Sequence, residues 1–343
     1  MKRWKLCVLT VVVFAGAGLG LLYRYLEPAR HFEMKTHPVV AAPSVAVSTD
    51  LPSRSMLLPD NPTTIEPSNA SAAPPADMPV QHANPNESTA FNALVLGLDT
   101  ISGQTARTDV ILLAHVVPAE KKVHLVSVPR DTRVPLPGIG LTKINHAHFV
   151  AEMDGGKKSG TEAAIQAVSD LLQIPVHYYV KTNFSGFVTF IDTIGGIDVD
   201  IPQDMWLSMT RKPLEAGSRH LDGLTALAFV RERYSLEDGD FGRQADQMKV
   251  MRAVVQKLLA PEKLTELPGL LKQAKKELVD TNLTDSDLIS LAWLFKDMKS
   301  QDIKYMQIPG KSVVAADPLV RSPLWYWEPD KERLKELVRE NLR

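Results

Sequence analysis

The chain has 343 residues, with 39 Lys+Arg against 40 Asp+Glu, 44% hydrophobic residues, 24 prolines and a single cysteine. One cysteine excludes an intramolecular disulfide framework and any Cys-rich zinc or iron–sulfur site, and a net charge near zero argues against a generally basic nucleic-acid binder. The length suits one large domain or two ordinary ones.

The residues are distributed unevenly. Lys2, Arg3 and Lys5 precede an uncharged apolar run over 6–23, which Arg24 closes. That length is near the lower end of what crosses a bilayer, and the cationic flank places residues 1–5 in the cytoplasm and the remainder outside. A cleaved signal peptide is the rival reading, with Ala15 and Ala17 as processing residues, but the apolar run continues through Leu19, Leu21 and Leu22. Cys7 falls at the cytoplasmic edge of the run. The expectation is a single-pass cell-membrane protein held by an uncleaved anchor.

Residues 24–90 read as a Pro/Ser/Ala-rich extracytoplasmic linker. Ten of the prolines lie between 31 and 90, where six acids face two Lys or Arg. Proline at this density removes backbone donors, and the sparse large apolar residues cannot build a core. The composition predicts a disordered spacer that lifts the remainder off the membrane.

Residues 91–343 contain no second break and no cysteine, which favours one domain. Apolar, β-branched runs at 91–98, 109–117 and 122–128 predict strands. A helix is expected over 159–173, with Ser159 and Glu162 as a capping box. A strand over 176–181, a helix through 184–191 ended by Gly195 and Gly196, and an extended stretch at 197–201 follow. Helices are predicted at 222–230, 243–259 and 284–299, the last with Thr284 and Asp287 as a capping box. A strand at 303–308 and a helix at 330–342 complete an α/β pattern.

Polar residues at the strand ends carry the chemistry. Asp99 follows VLGL, and Asp109 precedes VILLAHV. Two carboxylates at neighbouring strand ends suit a hard divalent cation, although each alone reads equally as a turn or N-cap aspartate. The segment SVPRDTRVPLPGIGLTKINHAH groups Arg130, Asp131, Arg133, Lys143, Asn145, His146 and His148, a density that packing does not require and a solvated loop could also show. In FVRERYSLEDGDFGRQADQ, Arg231, Arg233 and Arg243 flank an acidic loop. Guanidinium groups grip phosphate oxygens through paired donors, so carboxylates and arginines together suggest a diphosphate ligand.

These motifs, in this order, resemble the LytR–CpsA–Psr family of membrane-anchored bacterial cell-envelope proteins. The resemblance spans about 92–259 and rests on GLD and ARTD, SVPRDTRV with KINHAH, FSGFVTFIDTIGGIDVDIP, and LTALAFVRERY with GDFGRQADQ. It implies an α-β-α sandwich with a mixed central sheet and a lipid-binding cavity. It also implies transfer of a glycopolymer (teichoic acid, capsule or another secondary wall polymer) from a polyprenyl-diphosphate carrier to peptidoglycan through a phosphodiester bond. By this resemblance Asp99 and Asp109 hold Mg²⁺ or a related cation such as Mn²⁺, with Asp109 favoured for a second role as proton acceptor. Arg130 binds the diphosphate or assists attack, supported by Arg133, and Arg231, Arg233, Arg243 and Lys143 complete the phosphate side. The partners implied are the lipid-linked polymer, peptidoglycan and the membrane, with no nucleic acid. Two other readings stay open: a polyprenyl-diphosphate phosphatase or pyrophosphatase, and a non-catalytic lipid-binding scaffold. The sequence departs from the family pattern at Asp246, where a second arginine is usual. The aromatic stretch 324–330 either packs on the domain or stacks on sugar.

Overall fold

The computed structural model describes residues 23–33, 38, 90–100, 106–232, 240–260, 266–276, 279–296, 298–320 and 322–343, with the backbone alone at 240–245 and 267. The run at 6–22 and most of the 24–90 stretch lie outside the described residues. Among the described residues no helix is long and apolar enough to cross a membrane.

In chain order the elements are α1 (Pro28–Glu33), β1 (Phe91–Leu98), β2 (Thr108–Val117), β3 (Lys122–Ser127), β4 (Arg133–Leu136), β5 (Gly140–Lys143), α2 (His146–Leu172), β6 (Tyr178–Thr182) and α3 (Phe184–Thr193). They continue through β7 (Ile197–Ile201), β8 (Met205–Leu207), β9 (Lys212–Leu214), β10 (Gly217–Leu221), α4 (Gly223–Arg231), α5 (Asp240–Leu258) and α6 (Leu267–Lys276). The last are β11 (Asp280–Thr281), α7 (Asp285–Lys296), β12 (Ile303–Gln307), β13 (Gly310–Ala316), β14 (Pro323–Pro329) and α8 (Lys331–Asn341).

Six strands form the central sheet in the order β11-β6-β1-β2-β3-β12. The three apolar runs pair antiparallel as consecutive neighbours, while β6 joins β1 and β12 joins β3 in parallel through helical crossovers. The sheet is therefore mixed and lies between helices on both faces, an α-β-α sandwich. Period-two alternation divides β1 between them: Leu94 and Leu96 are buried beneath α2 and α8, whereas Ala93 and Val95 face the other layer and are only half-buried. A second core fills the space under α3, α4 and α5. Phe187, Phe190, Ile191 and Phe229 belong to it, so the apolar faces of α3 and α4 build core.

Several boundaries differ from expectation. Helix α2 starts at His146, not near Ser159, and continues through a kink where Gly156 adopts φ 81°. Two adjacent glycines read as a break in sequence, but one left-handed residue bends the helix without ending it. Ser159 donates to the Gly155 carbonyl, so it caps nothing. The box at Thr284 is present: its N–H donates to Asp287, and Asp287 N–H donates back to its hydroxyl. The 24–90 linker begins too early, because α1 is folded, with His31 and Phe32 fully buried. Composition averaged over a long window hid a short segment with two anchoring side chains.

Candidate functional site

The strand directions bring the charged motifs to one edge. β1, β3, β6 and β12 all run the same way, and β2 begins where β1 ends. Asp99, Asp109, Arg130 and the start of α3 thus share the carboxyl edge of the sheet, where α/β folds commonly place their ligands.

A β-bulge presents Asp109. Gly97 pairs with Val110 and Leu98 with Thr108, which leaves Asp109 as the extra residue. Such an insertion re-aims one side chain at the strand end. Gly97 allows close approach there, since a Cβ would sit 3.0 Å from Val110 Cβ. Asp99 is exposed, and its Oδ1 accepts from the Arg107 backbone N–H at 2.8 Å, tying the two strand ends together.

Arg130 follows β3 and reaches back across the edge. Its Nη1 donates to Asp109 Oδ1 at 2.5 Å, and its Nε lies 3.5 Å from Asp131 Oδ2. Asp131 is buried and also accepts from Lys143 Nζ at 2.7 Å. The four side chains form one connected chain of charge, Asp109–Arg130–Asp131–Lys143. The backbone holds this loop from two sides: Asn145 N–H donates to the Arg130 carbonyl, and Trp327 N–H donates to the Asp131 carbonyl.

Arg133 takes a different direction. Its Nη1 donates to Glu328 Oε2 at 3.2 Å, and its guanidinium lies over the Tyr326 ring at 5.4 Å. Tyr326 and Trp327 are buried in β14, so the 324–330 aromatics pack on the domain and brace the arginine loop. Beneath them Asp317 accepts from the Tyr326 and Thr142 hydroxyls, each at 2.6 Å. Burial would raise the Asp317 carboxyl, but these bonds and the Val320 and Leu319 N–H groups outweigh it and hold it below the ordinary value.

Arg231 ends α4 and is exposed, with its guanidinium 4.3 Å over the Phe184 ring and its Nη1 3.5 Å from Met209 Sδ. Phe184 opens α3 directly after β6, whose Thr182 pairs with Gly97, so Arg231 belongs to the same edge. Arg233 and the side chain of Arg243 lie outside the described residues. Asp246 is buried and bonded to Lys249 Nζ at 2.9 Å, and burial raises its carboxyl above the usual range despite that lysine. Its departure from the family pattern is thus absorbed inside α5.

Sequence reading missed Asp131 as the connector, and Asp317, Tyr326 and Glu328 as supports. Asp131 was visible beside Arg130 but had no signal separating it from a solvated acid. The other three lie far along the chain, and only β13–β14 pairing brings them back. Among the described residues no group of three or more His, Cys, Asp or Glu side chains could hold a metal ion.

Fold and site define an α-β-α sandwich protein whose strand-end carboxylates and arginines gather at one edge of the central sheet. Comparison with known proteins gives a specific relationship. A model of the LytR_cpsA_psr family matches residues 63–342. The polyisoprenyl-teichoic acid–peptidoglycan teichoic acid transferase TagU of Bacillus cereus is 33% identical over 263 residues, which cover 75% of this chain and 80% of that protein. The crystal structure of B. subtilis TagV superposes with TM-score 0.63 at 29% identity, covering 74% of this chain and 97% of that one. TagT bound to LI-WTA superposes with TM-score 0.59 at 26% identity, covering 76% and 92%. The chain belongs to the LytR_cpsA_psr family, and it is a transferase.

Proposed function

We propose that this transferase moves a glycopolymer from a polyprenyl-diphosphate carrier to peptidoglycan, at the outer surface of the cell membrane. The observation that carries this reading is the junction of two unlike surfaces. The charged edge at Asp109 and Arg130 adjoins a sheet face on which Ala93, Val95, Ala114 and Val180 are only half-buried, in the same apolar cluster as Leu291 and Phe295 of α7. A diphosphate on a prenyl chain has the same two parts, an anionic head and an apolar tail. The names of the relatives support the polymer and acceptor classes.

The reaction that fits is a substitution at the phosphorus joined to the sugar polymer. A peptidoglycan hydroxyl attacks, a new P–O bond forms, and the bond to the departing polyprenyl phosphate breaks. Arg130 neutralises charge on the phosphoryl oxygens, and Asp109, which faces it, is placed to receive the hydroxyl proton. Asp131 and Lys143 fix the Arg130 side chain. Arg231, at the same edge, contributes a second guanidinium, and Arg233 and Arg243 are proposed to do so with it. Arg133, held by Glu328, supports the loop from behind.

Asp99 and Asp109 suit Mg²⁺ in one specific sense. That ion is commonly held by one or two carboxylates with substrate phosphates and water supplying the remaining ligands, and Asp99 is exposed beside the bulged Asp109. When bound, the cation supplies charge neutralisation at the diphosphate.

The test supplies the full-length protein in membranes with polyprenyl-diphosphate-linked glycan and Mg²⁺, with and without peptidoglycan. Polymer attached to peptidoglycan is the expected product. Free phosphorylated polymer in both arms indicates hydrolysis, and lipid binding without turnover indicates a scaffold.

A further inference from the structure

The described N-terminal segment is not a free tether. Tyr23 meets the Trp293 ring edge-on at 4.8 Å between centroids, and the Leu26 carbonyl accepts from Ser290 Oγ at 2.6 Å. His31 Nε2 bonds Asp287 Oδ1 at 2.7 Å, with both side chains buried. Phe32 is 0% exposed, and its ring lies 4.3 Å from Phe91 and 5.8 Å from Tyr178. The segment therefore lies along α7 and plugs the start of β1.

We propose that residues 23–33 are a clamp that holds the domain against the membrane, so that the length of the stretch 34–89 does not set its distance from the bilayer. The inference rests on the anchor reading of residues 6–23. Glu33 and Ala90 both adjoin the Phe32–Phe91 contact, so the two residues that flank 34–89 are held at one place. As an open tether that stretch reaches up to ~190 Å at ~3.4 Å per residue. With its ends joined it contributes nothing to the separation, and Tyr23, where the apolar run ends, is itself in contact with the domain. The exposed surface around the clamp suits headgroups: Tyr23 and Tyr25 are 60% and 42% exposed, and exposed Arg24 and Arg30 supply cations. α7 carries the clamp and also contributes Leu291 and Phe295 to the half-buried apolar face, so the clamp sets that face beside the bilayer from which a prenyl chain would enter.

The test inserts a protease site between Asp60 and Asn61 of the full-length, membrane-embedded protein. Sedimentation before cleavage examines the anchor alone; absence from the membrane pellet there refutes the anchor reading and leaves no membrane for the clamp to act on. After complete cleavage the clamp keeps the 61–343 fragment in the pellet, and the His31→Ala, Phe32→Ala double variant loses it to the supernatant. Release of the wild-type fragment overturns the proposal, as does retention of both fragments. A second measurement avoids any folding defect of that variant. In a Cys7→Ser background with one surface cysteine on α8, deletion of residues 40–84 leaves dye quenching by membrane acceptors unchanged if the clamp holds. A marked rise in quenching shows a working spacer and overturns it.

Discussion

Arg130 donates from Nη1 to Asp109 and lies in ion-pair range of Asp131, 3.5 Å from Nε, and a planar guanidinium set between two carboxylates is a poor match for lysine. Arg130→Ala is expected to lower the transfer rate about 10²–10³-fold, the usual scale for removing a preorganised stabiliser of developing charge. Arg130→Lys should recover only a minor part of it. Asp131→Asn releases Lys143 and loosens Arg130 without touching substrate, so a smaller loss is predicted, read mainly in KM. Arg133→Gln behaves differently: it breaks the Glu328 contact behind the loop, and thermal unfolding should register it more clearly than turnover. Asp246 gives a prediction of opposite sign. Its folded carboxyl is raised by burial, so ionisation costs stability that builds as pH rises from the unfolded value of 3.8 toward the folded one and stays constant above it. Asp246→Asn should raise the melting temperature at pH 7 and have little effect near pH 3.

At the scale of elements, the β1–β2 pairing decides the site more than any one residue. Beside the bulge at Asp109, Gly97 permits Val110 to approach closely. Gly97→Ala forces these strands apart by a few tenths of an ångström, with an expected cost of about 1–3 kcal/mol and a disproportionate loss of activity from the displaced Asp109. Parallel measurement of unfolding and turnover separates the two effects. Gly223 meets a harder limit, since an added Cβ would lie 2.8 Å from the Val188 Cα and clash with its carbonyl oxygen. The central strands were legible in sequence because their β-branched runs have strand length and sharp turn boundaries. So were α4 and α8, whose Asp222 and Asp330 are observed N-caps. The α2 start, the β13–β14 hairpin and α1 were not. A kinked glycine pair imitates a terminus, and hairpins in polar or mixed sequence carry weak alternation. Two buried aromatic or imidazole side chains within a proline-rich context leave no periodic signal at all. Half of the site was readable for the same reason: Asp99, Asp109 and Arg130 stand at strand ends, whereas Tyr326 and Glu328 reach Arg133 only through tertiary pairing.

Across the molecule, burial places several histidines where charging opposes folding. His115 is lowered to about 4 by desolvation and then by His124 and His177, and burial also lowers His146, His148 and His177. A depressed histidine favours the native state above its unfolded value of 6.5, and that contribution is lost as pH falls toward the folded value. Stability should therefore decline from pH 6.5 to about pH 4, with His115 alone accounting for up to about 3 kcal/mol. His115→Gln should flatten this slope in pH-dependent denaturation. The assembled molecule joins an apolar sheet face to a strand-end edge of carboxylates and arginines, and the central claim is that phosphoryl transfer occurs there. The most direct measurement labels the sugar-proximal phosphorus of a polyprenyl-diphosphate glycan with ³²P and follows it with peptidoglycan present. The expected result is label covalently bound to peptidoglycan, an unlabelled polyprenyl phosphate, and loss of both products in Arg130→Ala. Label that remains with free polymer or lipid, or unchanged transfer by Arg130→Ala, would contradict it.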